Sequence, residues 1–206
     1  MKWLKRDGAV SLALGIAAFS LYALTAARSV ATVFDDSLEF QVVLPTLGIA
    51  HPSGYPLYTL FGWLASRLLP FGDPAGRINL LSAAFAGAAV AVLYLIARRF
   101  AGSRPAALVA AAIFALSPTW WSQATLAEVY ALHGLFVALF IYSLLRWEEA
   151  QARRGKGPAA DGWLRGAALI CGLGMAHHRM IALLLPAALV FIFWTDPALL
   201  RQPRRW

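Results

Sequence analysis

"YPLYTLFGWLASRLLPF" runs from Tyr55 to Phe71, and whether it crosses a membrane decides the orientation of everything after it. The stretch is apolar, but Arg67 interrupts it and Pro56 and Pro70 bracket it. A spanning helix needs about 20 predominantly apolar residues. These 17 residues, broken by a cation, are expected to form a helix lying in the membrane interface.

Six other apolar segments, near 8–27, 78–97, 105–119, 125–145, 163–176 and 180–195, are expected to cross or enter the membrane. The third, fifth and sixth are short and need tilt, local thinning or a partner. With the N-terminus in the cytoplasm and 55–71 not spanning, 14 of the 18 basic residues fall on the cytoplasmic side. Only Arg28, Arg67, Arg77 and Arg179 fall on the other, which is the bias that sets membrane orientation. If 55–71 spanned, every later loop would flip and the arginine-rich loop 146–165 would land outside. The expected fold class is an all-α integral membrane protein with about six transmembrane helices. Residues 1–206 form one transmembrane module, with interfacial helices in a first extracytoplasmic loop at 28–76.

Composition agrees. The chain is 60% hydrophobic and 14% charged, with a mean hydropathy of +0.64, whereas soluble domains carry roughly 25% charged residues. The net charge of +8 comes from residues at the ends of apolar segments, so nucleic acid is not an expected partner. Cys171 is the sole cysteine, which excludes an intrachain disulfide and a cysteine metal site. The apolar stretch from Gly8 to Ala27 exceeds a signal-peptide core and reads as an uncleaved first helix. Gly87, Gly102, Gly172 and Gly174 would allow close helix contact with partners.

The polar residues of an otherwise apolar chain gather at one level. In "DDSLEFQVVLPTLGIAHPSGYP" (Asp35–Pro56), Asp36 and Glu39 are three apart and Asp35 and Glu39 four apart, so either pair shares a helical face. General base, metal ligand and helix cap all use carboxylates so placed. Zinc is conceivable with Asp36 and His51, but no ligand spacing supports it and no metal residue is assigned; divalent metal dependence stays open. The turn holding His51 and Tyr55 is stiffened by two prolines and a glycine, which suits a substrate groove better than a linker.

In "GMAHHRM", His177, His178 and Arg179 lie between two apolar segments, where ionisable groups are costly and usually functional; together they could bind an anion such as phosphate. In "WSQATLAEVYALHG", Glu128 lies just inside the outer end of a helix, positioned to pair with Arg77 or Arg179 or to line a cavity. His133, five residues on, is expected to face elsewhere. Arg77 and Asn79 begin the second helix at the level of the acidic cluster. Carboxylates that take a proton, beside cations that hold a phosphate, suit sugar transfer from a polyprenyl-phosphate donor.

"DSLEF", "LPTLGIAHPSGYPLYTLFG", "WSQA…AEVYALH" and "GLGMAHHR", in this order, resemble membrane proteins related to the protein O-mannosyltransferases, in the GT-C superfamily of glycosyltransferases. The resemblance covers about residues 30–200. It implies an inverting transferase that moves mannose or a similar sugar from a polyprenyl-phosphate donor to an extracytoplasmic protein or glycan, with no required cofactor. It places a catalytic aspartate in the first extracytoplasmic loop, a role falling on Asp36 with Glu39 beside it, and implies that His51 and the 177–179 motif look onto the same cavity. The family shows Gly at Leu38 and Pro at Ser53, so Leu38 is expected to cost backbone freedom beside the base. Family enzymes are also longer, so the chain is expected to be an N-terminal module or a shortened relative. A shortened relative would fit an inactive scaffold or accessory subunit of a larger membrane complex. Location in a cell membrane, the inner one if bacterial, follows on either reading.

Overall fold

The computed structural model describes residues 2–154 and 160–201. Lys156, Arg204 and Arg205, counted in the charge bias above, lie outside the described residues. Among the described residues nine α-helices follow one another: α1 (Lys2–Thr25), α2 (Asp35–Val43), α3 (Pro56–Leu68), α4 (Pro74–Phe100), α5 (Arg104–Ala115), α6 (Pro118–Thr125), α7 (Val129–Arg154), α8 (Gly162–His177) and α9 (Leu185–Thr195). Short 3₁₀ turns occupy Leu44–Thr46, Arg179–Leu184 and Pro197–Arg201, and no strand occurs among the described residues.

The starts follow from local sequence. Asp73, Ser103 and Ser117 each cap a helix by accepting a backbone N–H three residues on, and each is followed within two residues by a proline. A proline in the first turn sacrifices an N–H that has no helical partner anyway.

Among the described residues three helical stretches are long and apolar enough to cross a membrane: Asp7–Thr25, Pro74–Phe100 and Val129–Arg153. A fourth span exists only if α5 and α6 are taken together, and they are bent by 61° where Leu116, Ser117 and Pro118 end one helix and cap the next. The expectation of six spans is thus met by three or four. The last two segments form helices, but α8 has 16 residues and α9 has 11. At 1.5 Å per residue they reach about 24 Å and 16 Å, short of the roughly 30 Å hydrocarbon core. The stretch at 55–71 is the 13-residue α3, which is too short to span.

Helix α4 is the hub, packing on α1, α3, α5, α6 and α7. Gly15 and Gly87 let α1 approach it backbone to backbone, and Ser11 Oγ donates to Ala91 O at 2.8 Å. Of the glycines expected to meet partners, Gly87 and Gly174 are used internally, Gly174 against Ile181 and Phe136, while Gly172 faces open space. At one end of the bundle, buried Asp7 pairs with Arg98 (3.5 Å) and Arg104 (2.6 Å), while Arg99 pairs with Glu148 and Glu149. At the other end, Phe40, Leu44, Tyr55, Tyr58, Ile78, Val129, Phe136 and Ile181 form the core beneath the acidic cluster.

Candidate functional site

Helix α2 carries Asp36 and Glu39 one turn apart. Its N-cap is Phe34, whose side chain makes no capping bond, so Asp36 is not the N-cap. The chain reverses after α2: Leu47 takes a left-handed φ of 52°, and Gly48 N donates to Val43 O at 3.0 Å. The turn from His51 to Tyr55 closes with Gly54 N donating to His51 O at 2.8 Å. Tyr55 itself sits at φ 44°, a region L-residues rarely adopt. Burial against Phe40, edge to face at 5.5 Å, holds it there.

This reversal brings His51 onto the acidic face of α2. Glu39 grips it twice, with Oε1 accepting from His51 N at 2.8 Å and Oε2 lying 2.5 Å from Nδ1. The other ring nitrogen, Nε2, meets Tyr55 Oη at 3.2 Å and Asp36 Oδ2 at 3.9 Å. The bond to Glu39 raises the His51 pKa; partial burial opposes this, and the negative charges of Asp36, Glu39 and Glu128 reinforce it. Asp36 is half exposed and makes no closer contact of this kind. One oxygen each from Asp36 and Glu39 and a nitrogen of His51 lie within 4.8 Å of one another, a set that could hold a cation.

Glu128 lies in the link between α6 and α7, almost fully buried. Instead of meeting Arg77 or Arg179, its Oε1 accepts from Ser37 Oγ at 2.5 Å. Its backbone N–H reaches Ser82 Oγ at 3.4 Å, and Ser82 in turn meets Tyr58 Oη at 2.9 Å. Burial raises the Glu128 carboxyl pKa and the Ser37 bond works against it.

Arg77 spends three of its five N–H donors on backbone carbonyls. Nε and both terminal nitrogens donate to the carbonyls of Phe71, Ser66 and Gly72 and tie down the link before α4. The 177–179 motif is divided as well. His177 is buried, and Nε2 donates to Val129 O at 3.0 Å. His178 is half-buried, with its ring 5.8 Å from Tyr55. Arg179 is exposed and has no ion-pair partner among the described residues.

His133, expected to face elsewhere, packs on His178 at 4.7 Å. Ser37 and His133 are the participants sequence reasoning missed. Ser37 carried a signal: it lies four residues before Gln41, on the face of α2 turned from Leu38. Leu38 itself is helical and exposed, and a helix needs no glycine, so the expected cost beside Asp36 does not arise.

The geometry defines an all-helical membrane protein with a carboxylate–histidine pair on a loop between two spans. Residues 36–200 match the model of the family described as the protein O-mannosyl-transferase TMEM260 N-terminal domain, and the chain belongs to that family. It is 36% identical over 181 residues to the protein O-mannosyl-transferase TMEM260 of Mus musculus, covering 86% of this chain and 25% of the relative. It is 25% identical over 182 residues to the protein of the same name from Dictyostelium discoideum, covering 84% of this chain and 22% of the relative. The chain thus spans about a quarter of the length of these relatives. No solved structure matches.

Proposed function

We propose that the chain is the N-terminal membrane module of an inverting glycosyltransferase that moves mannose or a similar sugar from a polyprenyl phosphate to a protein or glycan acceptor. The observation that carries this reading is the half-exposed Asp36, one turn from a Glu39 whose two oxygens are committed to His51. Asp36 is then the carboxylate free to work as base, and Glu39 positions His51 beside it.

In one displacement, the acceptor oxygen forms a bond to the anomeric carbon as the bond from that carbon to the phosphate oxygen breaks. The acceptor proton passes to Asp36, the bonding pair leaves with the lipid phosphate, and the configuration inverts. Arg179 and His178 offer the departing phosphate a free cation and a ring N–H. Tyr55 links the two halves, bonded to His51 and packed beside His178.

The charge bias of 14 to 4 supports an extracytoplasmic site and a cytoplasmic N-terminus. Six crossings follow if the bent α5–α6 pair is one span and α8 and the segment from Arg179 to Thr195 both traverse a locally thinned bilayer.

The test is transfer from a radiolabelled polyprenyl-phosphate sugar in membranes carrying the protein. Asp36→Asn should insert normally and lose transfer by about 10²-fold or more, the scale of a missing general base. Unchanged transfer by that variant would remove Asp36 from the role. No transfer by the unaltered protein, together with stable recovery in a larger membrane assembly, would favour the scaffold reading.

A further inference from the structure

A groove of about 280 Å³ opens where the end of α1, the start of α4 and the link before α4 come together. Leu24 of α1, Leu80 of α4 and Phe71 of the link give it apolar walls, and Arg28 and Arg77 line it as well. Leu24 is 76% exposed, so this wall is part of the surface a bilayer would cover. One span ends at Thr25 and the next begins at Pro74, which sets the groove at a membrane–water boundary.

The groove is separate from the candidate site. At about 3.6 residues per turn, Arg77 and Leu80 lie on one side of α4 and Ile78 and Ser82 on the other. Ile78 belongs to the core beneath the acidic cluster, and Ser82 meets Tyr58 Oη.

The two arginines set the chemistry. Arg28 is exposed, and its side chain has no hydrogen bond or ion pair among the described residues. The carbonyls of Phe71, Ser66 and Gly72 fix the Arg77 guanidinium in place and leave two of its N–H donors unspent. A guanidinium held in this way is preorganised for phosphate oxygens. Asp73 lies beside Arg77, but its two oxygens already accept from Gly76 N, at 2.8 Å, and from Ser29 Oγ. Among the described residues no carboxylate lines the groove itself. Two arginines less the one aspartate leave a surplus of one positive charge. A zwitterionic lipid would carry an ammonium into that surplus, whereas an anionic lipid neutralises it.

We propose that this groove holds an anionic phospholipid, with its phosphate between Arg28 and Arg77 and an acyl chain running past Leu24 and Leu80. Such a lipid clamps the end of α1 to the start of α4 from the face turned away from Asp36.

The experiment is native mass spectrometry of the full protein released from nanodiscs of phosphatidylglycerol and phosphatidylcholine in equal parts. Phosphatidylglycerol should be retained in preference. Arg28→Gln should lower its retention roughly fivefold, the scale of one arginine at an anionic surface, at an unchanged melting temperature. Arg28→Lys, which keeps the charge, should retain most of it. Arg67→Gln removes an exposed arginine of α3 that does not line the groove, and should change nothing. Equal retention of the two lipids would overturn the proposal, as would an equal loss with Arg67→Gln, which would mean general surface charge. Displacement by inorganic phosphate would make this a free-anion site, and displacement by an equal amount of polyprenyl phosphate would make it a place for the donor; either sinks the phospholipid. Retention is read without sugar transfer, so its outcome is independent of the transferase reading.

Discussion

Ser37 Oγ donates to Glu128 Oε1 at 2.5 Å across 91 residues of sequence, and neither residue reaches solvent to any useful extent. This bond joins the helix bearing Asp36 and Glu39 to the entry of α7. Through Ser82 and Tyr58 the same chain of polar groups reaches α4 and α3.

The bond predicts an order of stabilities. Burial raises the Glu128 carboxyl pKa, so the folded state holds its proton more tightly than the unfolded one. That contribution is complete below the ordinary glutamate pKa and is lost as pH rises through the raised folded value. Burial disfavours the charged form of this carboxyl, and Glu128→Gln keeps an acceptor for Ser37 that cannot ionise. Glu128→Gln should therefore match or exceed the parent in melting temperature. Glu128→Ala leaves Ser37 without its partner and should cost about 1–3 kcal/mol. Thermal unfolding in detergent checks the order, and Glu128→Gln falling as low as Glu128→Ala would show that the charge itself is needed.

The Glu39–His51 pair predicts a pH dependence of the same sense for a different reason, since here protonation strengthens an ionic contact. The His51 pKa is raised first by its bond to Glu39. The docking of the 47–55 turn on α2 is then fully stabilised below the ordinary histidine value of about 6.5 and weakens as pH rises through the higher folded value. Ring resonances of isotope-labelled histidine should place the His51 titration above the ordinary value, and Glu39→Gln should bring it down. A titration at or below the ordinary value in the unaltered protein would mean that the pair does not form.

Much of this was legible in the sequence. The apolar segments, the non-spanning stretch at 55–71 and the acidic turn of α2 all follow from local pattern, and Asp36, Glu39 and His51 do meet. What stayed hidden depends on where distant segments land. Arg77 looks like a free cation in the sequence, yet the 66–72 link folds back and surrounds its guanidinium with three carbonyls. The spacing within α7 alone turns His133 away from Glu128; it meets His178 because α8 ends beside α7. Six spans are expected from apolar segments, of which α5 bends into α6 and α8 and α9 have only 16 and 11 residues. Ser117 and Pro118 break an apolar run that composition alone treats as continuous.

The close approach of α1 and α4 yields a prediction independent of function. A Cβ on Gly87 would sit 2.8 Å from Gly15 O and 3.0 Å from Phe19 N, both backbone atoms that cannot swing aside. Gly87→Ala must therefore push two spans apart, and overpacking of this kind costs about 1–3 kcal/mol. It should also lengthen the Ser11–Ala91 bond, now 2.8 Å, one turn further along the same interface. Gly172 in α8 is the matched control, because a Cβ there meets nothing within 4 Å. Gly172→Ala should be neutral or gain up to about 1 kcal/mol from reduced chain entropy in a helix. Melting temperatures of the two variants side by side make the comparison. Equal tolerance of both would show that α1 and α4 do not meet at Gly87, and an equal loss at Gly172 would mean that α8 has a neighbour on its open face.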